Sequence, residues 1–235
     1  MVKNGFRRFV SSDVQLNVNQ TYVVAATLRV GTTTQQITVQ AAPAQVETTS
    51  MQLGTTITGR SIEDLPLNGR NWVELQRLQP GVVGASDRFG LNGDYSTNGA
   101  ETQQNSFLIN GADSNEMSVN APLVYPSPDA IAEFRMVTNT INPEYGRNSG
   151  AILNAIIKSG TNQFHGDGFE FFRDKSLDAR NFFRPTVDPF HQNQFGGTIG
   201  GPVVIPHVYS GKNKTFFFFS YQGTRNAVPE NSTSC

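Results

Sequence analysis

Few residues of this chain stand at spacings that could make or break bonds. The three histidines, His165, His191 and His207, lie far apart, each beside a turn or a Pro/Gly segment, so separate surface positions fit them better than one shared metal ion. Asp113-Ser-Asn115 opens like a calcium loop. Met117 then holds the fifth position, and neither the sixth-position Gly nor the twelfth-position Glu follows. Gly196, Gly197, Gly200 and Gly201 lack the phosphate-cradling spacing of a dinucleotide fold, and no helical pattern comes after them. There is no G-x-S-x-G elbow, P-loop or H-E-x-x-H run. The residues therefore predict no catalysis, no cofactor and no metal. The chemistry they offer is that of surfaces, with aromatic side chains alternating with polar or glycine positions.

That alternation needs strands. In Lys214-Thr-Phe-Phe-Phe-Phe-Ser-Tyr-Gln222, Thr215, Phe217, Phe219 and Tyr221 share one face of an extended chain; Lys214, Phe216, Phe218, Ser220 and Gln222 share the other. Only the second face carries charge and amides. Such a division suits a strand with hydrocarbon on one side and water on the other, as in an outer-membrane β-barrel. A core strand of a soluble sandwich is the other reading of the same run. Between 164 and 173, Phe169 and Phe171 share a face opposite Gly166, Gly168 and Glu170. Phe169, Phe171, Phe217, Phe219 and Tyr221 are thus the candidate lipid-facing residues. Residues 194–204 offer a third strand, whose paired glycines mark bends or close backbone approach.

Composition limits the alternatives. At 235 residues the chain has room for one or two domains. Charged residues make up 16%, below the roughly 25% of soluble domains. The 17 Phe and a net charge of −1 argue against disorder. No basic run is present, so nucleic acid is not expected as a partner. No stretch of about 18 apolar residues exists for a transmembrane helix, which leaves a barrel open. The only cysteine is Cys235, so no internal disulfide can form. Met1 to Phe9 is basic but is followed by no apolar signal segment, and both ends read as those of a fragment of a longer exported protein. A small cytoplasmic protein is the alternative.

Three pieces emerge. Residues 1–42 read as closing strands of a β-sandwich, with alternation at Val14, Leu16 and Val18, a strand over 22–30 and another over 34–39. Residues 43–50 are a linker. Residues 51–160 read as a small α+β unit. There Ser61 and Asp64 form an approximate capping box for a short helix ending before Pro66, and Asn71 caps a second helix with Trp72, Leu75 and Leu78 on one stripe. Residues 85–105 read as loops, and 107–109 as a strand before the Asn110-Gly111 turn. Ser127-Pro128-Asp129 starts a helix over 130–134; strands follow at 135–139 and 151–158. Residues 161–235 read as barrel strands and turns.

With these pieces assembled, a resemblance becomes visible. Leu65-Pro-Leu-Asn-Gly-Arg-Asn71, Leu75-Gln-Arg-Leu-Gln-Pro-Gly-Val82, Phe107-Leu-Ile-Asn-Gly-Ala-Asp113, Ile131-Ala-Glu-Phe-Arg-Met-Val137, Glu144-Tyr-Gly-Arg147 and residues 150–162 resemble, in this order, the plug of TonB-dependent outer-membrane receptors. The Oar-like type, which carries an N-terminal carboxypeptidase-regulatory-like β-sandwich, is the nearest match. The resemblance implies a mainly β fold: the end of that sandwich (1–42), the plug (51–160) and the first strands of a transmembrane barrel (161–235) of roughly 22 strands. It implies a transporter in the outer membrane of a Gram-negative bacterium, its N-terminal part periplasmic, importing a scarce nutrient. Its partners would be the energy-transducing protein TonB, outer-membrane lipid and an unidentified nutrient ligand. Gln36, Ile37, Thr38, Val39, Gln40 and Ala41 are similar to the segment that pairs with TonB by main-chain strand addition, for which side-chain demands are loose. The same residues read equally well as the last sandwich strand. A surface-exposed β-rich adhesion or glycan-binding module remains the alternative function.

Overall fold

The computed structural model describes residues 6, 8–12, 30–31, 36–40, 52–65, 67–84, 95–180, 182, 187 and 190–227. The expected strand at 14–18, that at 22–30 apart from Val30, the first two residues of that at 34–39, and the linker 43–50 lie outside the described residues. In chain order the strands are β1 (Arg8–Ser12), β2 (Gln36–Gln40), β3 (Leu53–Thr58), β4 (Val82–Gly84), β5 (Tyr95–Thr97), β6 (Ser106–Ile109) and β7 (Ala112–Asp113), then β8 (Ile131–Asn139), β9 (Ile152–Ile157), β10 (His165–Asp174), β11 (His191–Pro202), β12 (Val204–Ile205), β13 (Tyr209–Ser210) and β14 (Phe216–Ala227). The α-helix α1 spans Gly59–Asp64. The fold is mainly β, with open sheets.

A five-stranded sheet of order β3-β8-β9-β6-β7 forms the middle of the molecule. Only β6 and β9 run parallel; the other neighbours are antiparallel. The core against it joins Phe107, Ile131, Phe134, Met136 and Leu153 of the sheet to Ile62 of α1 and to Trp72 and Leu75 of the turns that follow. Trp72 stands edge-on to Phe107 and Phe134, with ring centroids 6.1 and 6.0 Å away. Such aromatic pairs add about 0.5–1.5 kcal/mol beyond the area they bury. At the β6–β7 turn, Asn110 and Gly111 have φ of 52° and 78°, the left-handed pair that a two-residue hairpin requires.

Several local expectations shift. Helix α1 begins at Gly59, with Thr58 at its cap position and no side-chain cap, so Ser61 lies within the helix instead of before it. The glycine is needed there, because a Cβ would stand 3.0 Å from the backbone oxygens of Ile131 and Ala132. The helix does end ahead of Pro66, its C-cap Leu65 extended as a residue before proline prefers. Asn71 caps the Trp72–Leu78 turns by accepting from Val73 N–H at 3.1 Å; those turns are 3₁₀, and Leu78 runs out to 50% exposure. The helix expected over 130–134 shrinks to one 3₁₀ turn, Pro128–Ala130. From Ile131 the chain pairs with β9 and from Glu133 with β3 as well, and that pairing overrides local helix propensity. Within the expected loop region, β5 pairs with β4.

Strands β10, β11 and β14 form a three-stranded antiparallel sheet, with Phe171 opposite Gln194 and Gln194 opposite Thr224. The hairpin β12–β13 fills the connection between β11 and β14.

Candidate functional site

The turn after α1 carries two successive left-handed residues, Gly69 (φ 68°) and Arg70 (φ 52°). This sharp reversal throws the Arg70 side chain off the five-stranded unit toward the β10–β11 wall. Arg70 pairs with the Asp129 carboxylate, and only 9% and 11% of their side-chain surfaces stay exposed. Ser127 Oγ donates to the same carboxylate at 2.8 Å. The Arg70 guanidinium lies 4.2 Å over the ring of Phe169 and 4.6 Å over that of Phe171. Gln194 Nε2 completes the join, donating to the Gly69 carbonyl at 3.1 Å. A carboxylate, two aromatic faces and an amide from β11 thus converge on one turn of the globular unit.

The register shows which way the wall strands face. Residues opposite one another in an antiparallel ladder point to the same side. Asp167, Phe169 and Phe171 therefore share a face with Thr198, Gly196 and Gln194, and with Ser220, Gln222 and Thr224 beyond them. That face meets the globular unit through Arg70. Phe169 and Phe171, expected on the lipid side, stand on the face that meets Arg70, with Phe171 49% exposed. The cause is the Arg70 cation, which needs aromatic faces once it leaves water, together with Gly196, whose missing side chain leaves room for the Phe169 ring. Phe217, Phe219 and Tyr221 occupy the opposite face, with Phe219 61% and Tyr221 55% exposed.

Beside the join is a cavity of about 400 Å³, lined on one side by Glu63, Leu65 and Leu67 and on the other by Phe171, Arg173 and Gln192. Glu63 also pairs with Lys158, tying α1 to the end of β9. A second cavity, about 610 Å³, lies at the β6–β7 hairpin among Asp113, Asn115, Glu144, Arg147 and Asn154. Burial works to raise the Asp113 carboxyl, but hydrogen bonds from Asn115 and the paired Arg147 outweigh it and hold the group below its usual range. The calcium-like run is spent on turn closure. Asn115 Oδ1 accepts from Phe107 N–H at 2.9 Å, and Glu116 accepts from the Ser118 hydroxyl and from the Ser118 and Val119 amides. Those bonds hold the Glu116 carboxyl low as well. Among the described residues no three His, Cys, Asp or Glu gather to hold a metal ion.

The expected TonB-contact residues Gln36, Ile37, Thr38, Val39 and Gln40 form β2, paired in parallel with β1, Arg8 opposite Gln36 and Ser12 opposite Gln40. Ala41 lies outside the described residues. Sequence reasoning does not reach the Arg70 join: within the Leu65–Asn71 run, Arg70 reads only as part of a turn. Its partners stand 59, 99 and 101 positions away, and no local pattern links them.

Residues 156–235 match the family model of an outer membrane beta barrel domain. The chain is 25% identical, over 93% of its length, to the TonB-dependent transporter Oar of Myxococcus xanthus, and spans 21% of that protein. Its fold is similar to that of the siderophore receptor PirA from Acinetobacter baumannii (22% identity, TM-score 0.52, 77% of this chain and 25% of that one). PirA from Pseudomonas aeruginosa gives 17% identity, a TM-score of 0.50 and coverage of 74% and 29%. These relatives are transporters and receptors, not enzymes.

Proposed function

We propose that this outer-membrane chain, homologous to the TonB-dependent transporter Oar, supplies the plug and first wall strands of a transporter that imports a scarce nutrient with energy relayed by TonB. The observation that carries the reading is the Arg70 join. A folded α+β unit (residues 51–160 in this reading) is held against the inner face of a barrel wall by one buried cation on two rings. A closed gate needs such a seat, and the seat must be strong enough to hold yet releasable by a pull on the chain before it. That pull would enter through residues 36–41, by strand addition to TonB. Strand β2 already has β1 on one edge, so TonB would take its other edge or displace β1.

The test is photocrosslinking of TonB to the protein in intact cells. Val39→Pro removes a ladder donor and fixes φ, so it should abolish the crosslink. Val39→Thr should leave it within about twofold of wild type, since main-chain bonds carry the contact. A protein that crosslinks TonB through neither residue range nor variant would instead fit the adhesion or glycan-binding alternative, and equal loss in both variants would move the coupling segment elsewhere.

A further inference from the structure

The connection between β11 and β14 is longer than a strand reversal needs, and it is folded. Strands β12 and β13 pair with Val204 opposite Ser210 and Ile205 opposite Tyr209. His207 takes a left-handed φ of 62° at the tip. The base is closed on three sides. Val203 N–H donates to the Thr215 carbonyl at 3.0 Å and Gly211 N–H to the Val203 carbonyl at 2.8 Å. Asn213 N–H donates to Asn162 Oδ1 at 2.7 Å while Asn162 Nδ2 donates to Asn213 Oδ1 at 2.6 Å, fastening the hairpin to the segment that leaves the five-stranded unit. The hairpin therefore stands at a fixed place and angle.

Its surface is out of keeping with an ordinary turn in water. Val204, Ile205 and Val208 are 51%, 50% and 80% exposed, and Tyr209 is 39% exposed. Thr215 continues the β11–β14 ladder through the Val203 bond, so its side chain belongs to the face of Phe217, Phe219 and Tyr221. The Tyr209 hydroxyl lies 2.6 Å from Thr215 Oγ1, which draws the hairpin toward that outer face. Lys212 and Lys214 are exposed at the base, and the sequence carries no Asp or Glu between Pro189 and Pro229. Exposed Ile205 and Val208 flanking the His207 tip, a tyrosine, and lysines with no acidic residue near them in sequence, continuous with an outward aromatic face, match the boundary between acyl chains and phosphate headgroups.

We infer that the β12–β13 hairpin is a membrane foot. Ile205 and Tyr209, which share one face of the hairpin, and Val208 beside its tip enter the boundary region of the phospholipid leaflet on the side from which the globular unit joins the wall, and Lys212 meets its phosphates. The inference rests on the barrel reading of the proposed function and adds a lipid contact outside the strands. A lysine near an anionic bilayer surface contributes about fivefold to surface binding.

Spin labels on the full protein in phospholipid vesicles test it, in a Cys235→Ser background with single cysteines at Val208, Phe219 and Met117. Position 208 should favour oxygen dissolved in lipid over an aqueous nickel chelate, as position 219 does, while position 117 should do the reverse. Removing phosphatidylglycerol from phosphatidylcholine vesicles that contain it, or introducing Lys212→Gln, should raise nickel access at 208 about fivefold. Nickel access at 208 with lipid access at 219 overturns the foot and leaves the barrel; nickel access at both overturns the barrel as well. Shielding of 208 from both reagents means protein covers the hairpin, and indifference to phosphatidylglycerol and to Lys212→Gln removes the phosphate contact. Either result overturns the inference.

Discussion

Arg70 concentrates the energetics of the seat in one side chain. Its charge is nearly dehydrated, and the compensation comes from Asp129 on its own unit and from Phe169 and Phe171 on the wall. A cation–π contact contributes from about 0.5–1 kcal/mol in water to about 2 kcal/mol when desolvated. Truncation is harsher, because Arg70→Ala strands the Asp129 carboxylate in a site where Ser127 alone still bonds it, at a cost of about 3–5 kcal/mol. Arg70→Lys keeps the charge but loses the planar fork that pairs and stacks at once. Limited proteolysis of the membrane-embedded protein reads this directly, since cleavage tracks the open population. Cleavage within residues 60–71 should rise about a hundredfold or more in Arg70→Ala and by a smaller factor in Arg70→Lys. An unchanged rate in Arg70→Ala would show that the seat is held elsewhere, for instance by the Gln194–Gly69 bond.

At the scale of the element, the β11–β14 ladder assigns opposite surroundings to adjacent phenylalanines. Phe217 lies on the outer face with Phe219 and Tyr221, and Phe218 on the inner face with Ser220 and Gln222. Arginine on the lipid face costs about 2–4 kcal/mol at the bilayer midplane and less toward the boundary, whereas inner-face substitutions are tolerated better on electrostatic grounds. Phe217→Arg should therefore cut the yield of assembled, heat-modifiable protein more than Phe218→Arg does. The same yield for both would break the link between strand parity and environment. The β6–β7 hairpin shows the same economy in the globular unit. Asn110 turns the chain with a left-handed φ, and its Oδ1 accepts from Ile157 N–H at 2.9 Å, so one residue makes the turn and pins it to the neighbouring strand.

At the scale of the molecule, the two sheets differ in what they can do alone. The five-stranded unit surrounds Trp72, Phe134 and Leu153, each fully buried, and has a core of its own. The β10-β11-β14 sheet has aromatic residues on its outer face and, among the described residues, no partner for the outer edges of β10 and β14. Open edges and exposed aromatics drive association in water. A chain of residues 51–160 should then be monomeric in plain buffer by light scattering, while one of residues 162–227 should aggregate unless detergent is present. A monomeric, cooperatively unfolding 162–227 segment would contradict the barrel-wall reading.

The sequence by itself determined the strands and their two faces, because alternation is local. Phe217 and Phe219 part from Phe216 and Phe218 by parity alone, and Phe169 and Phe171 share a side for the same reason. Asn71 as a cap and Asn110-Gly111 as a turn were legible too, since each rests on bonds within a few residues. Parity cannot say which side faces what. Phe169 and Phe171 turn to the globular unit, where Arg70, about a hundred positions earlier, lies over their rings, and a period of two carries no information about a partner so distant. The tertiary structure likewise decided that 131–134 is strand, because β3 and β9 supply hydrogen bonds on both sides that no local preference could foresee. It also gave the residues between Pro202 and Thr215 a fixed hairpin, through the Asn162–Asn213 bonds that join segments some fifty residues apart.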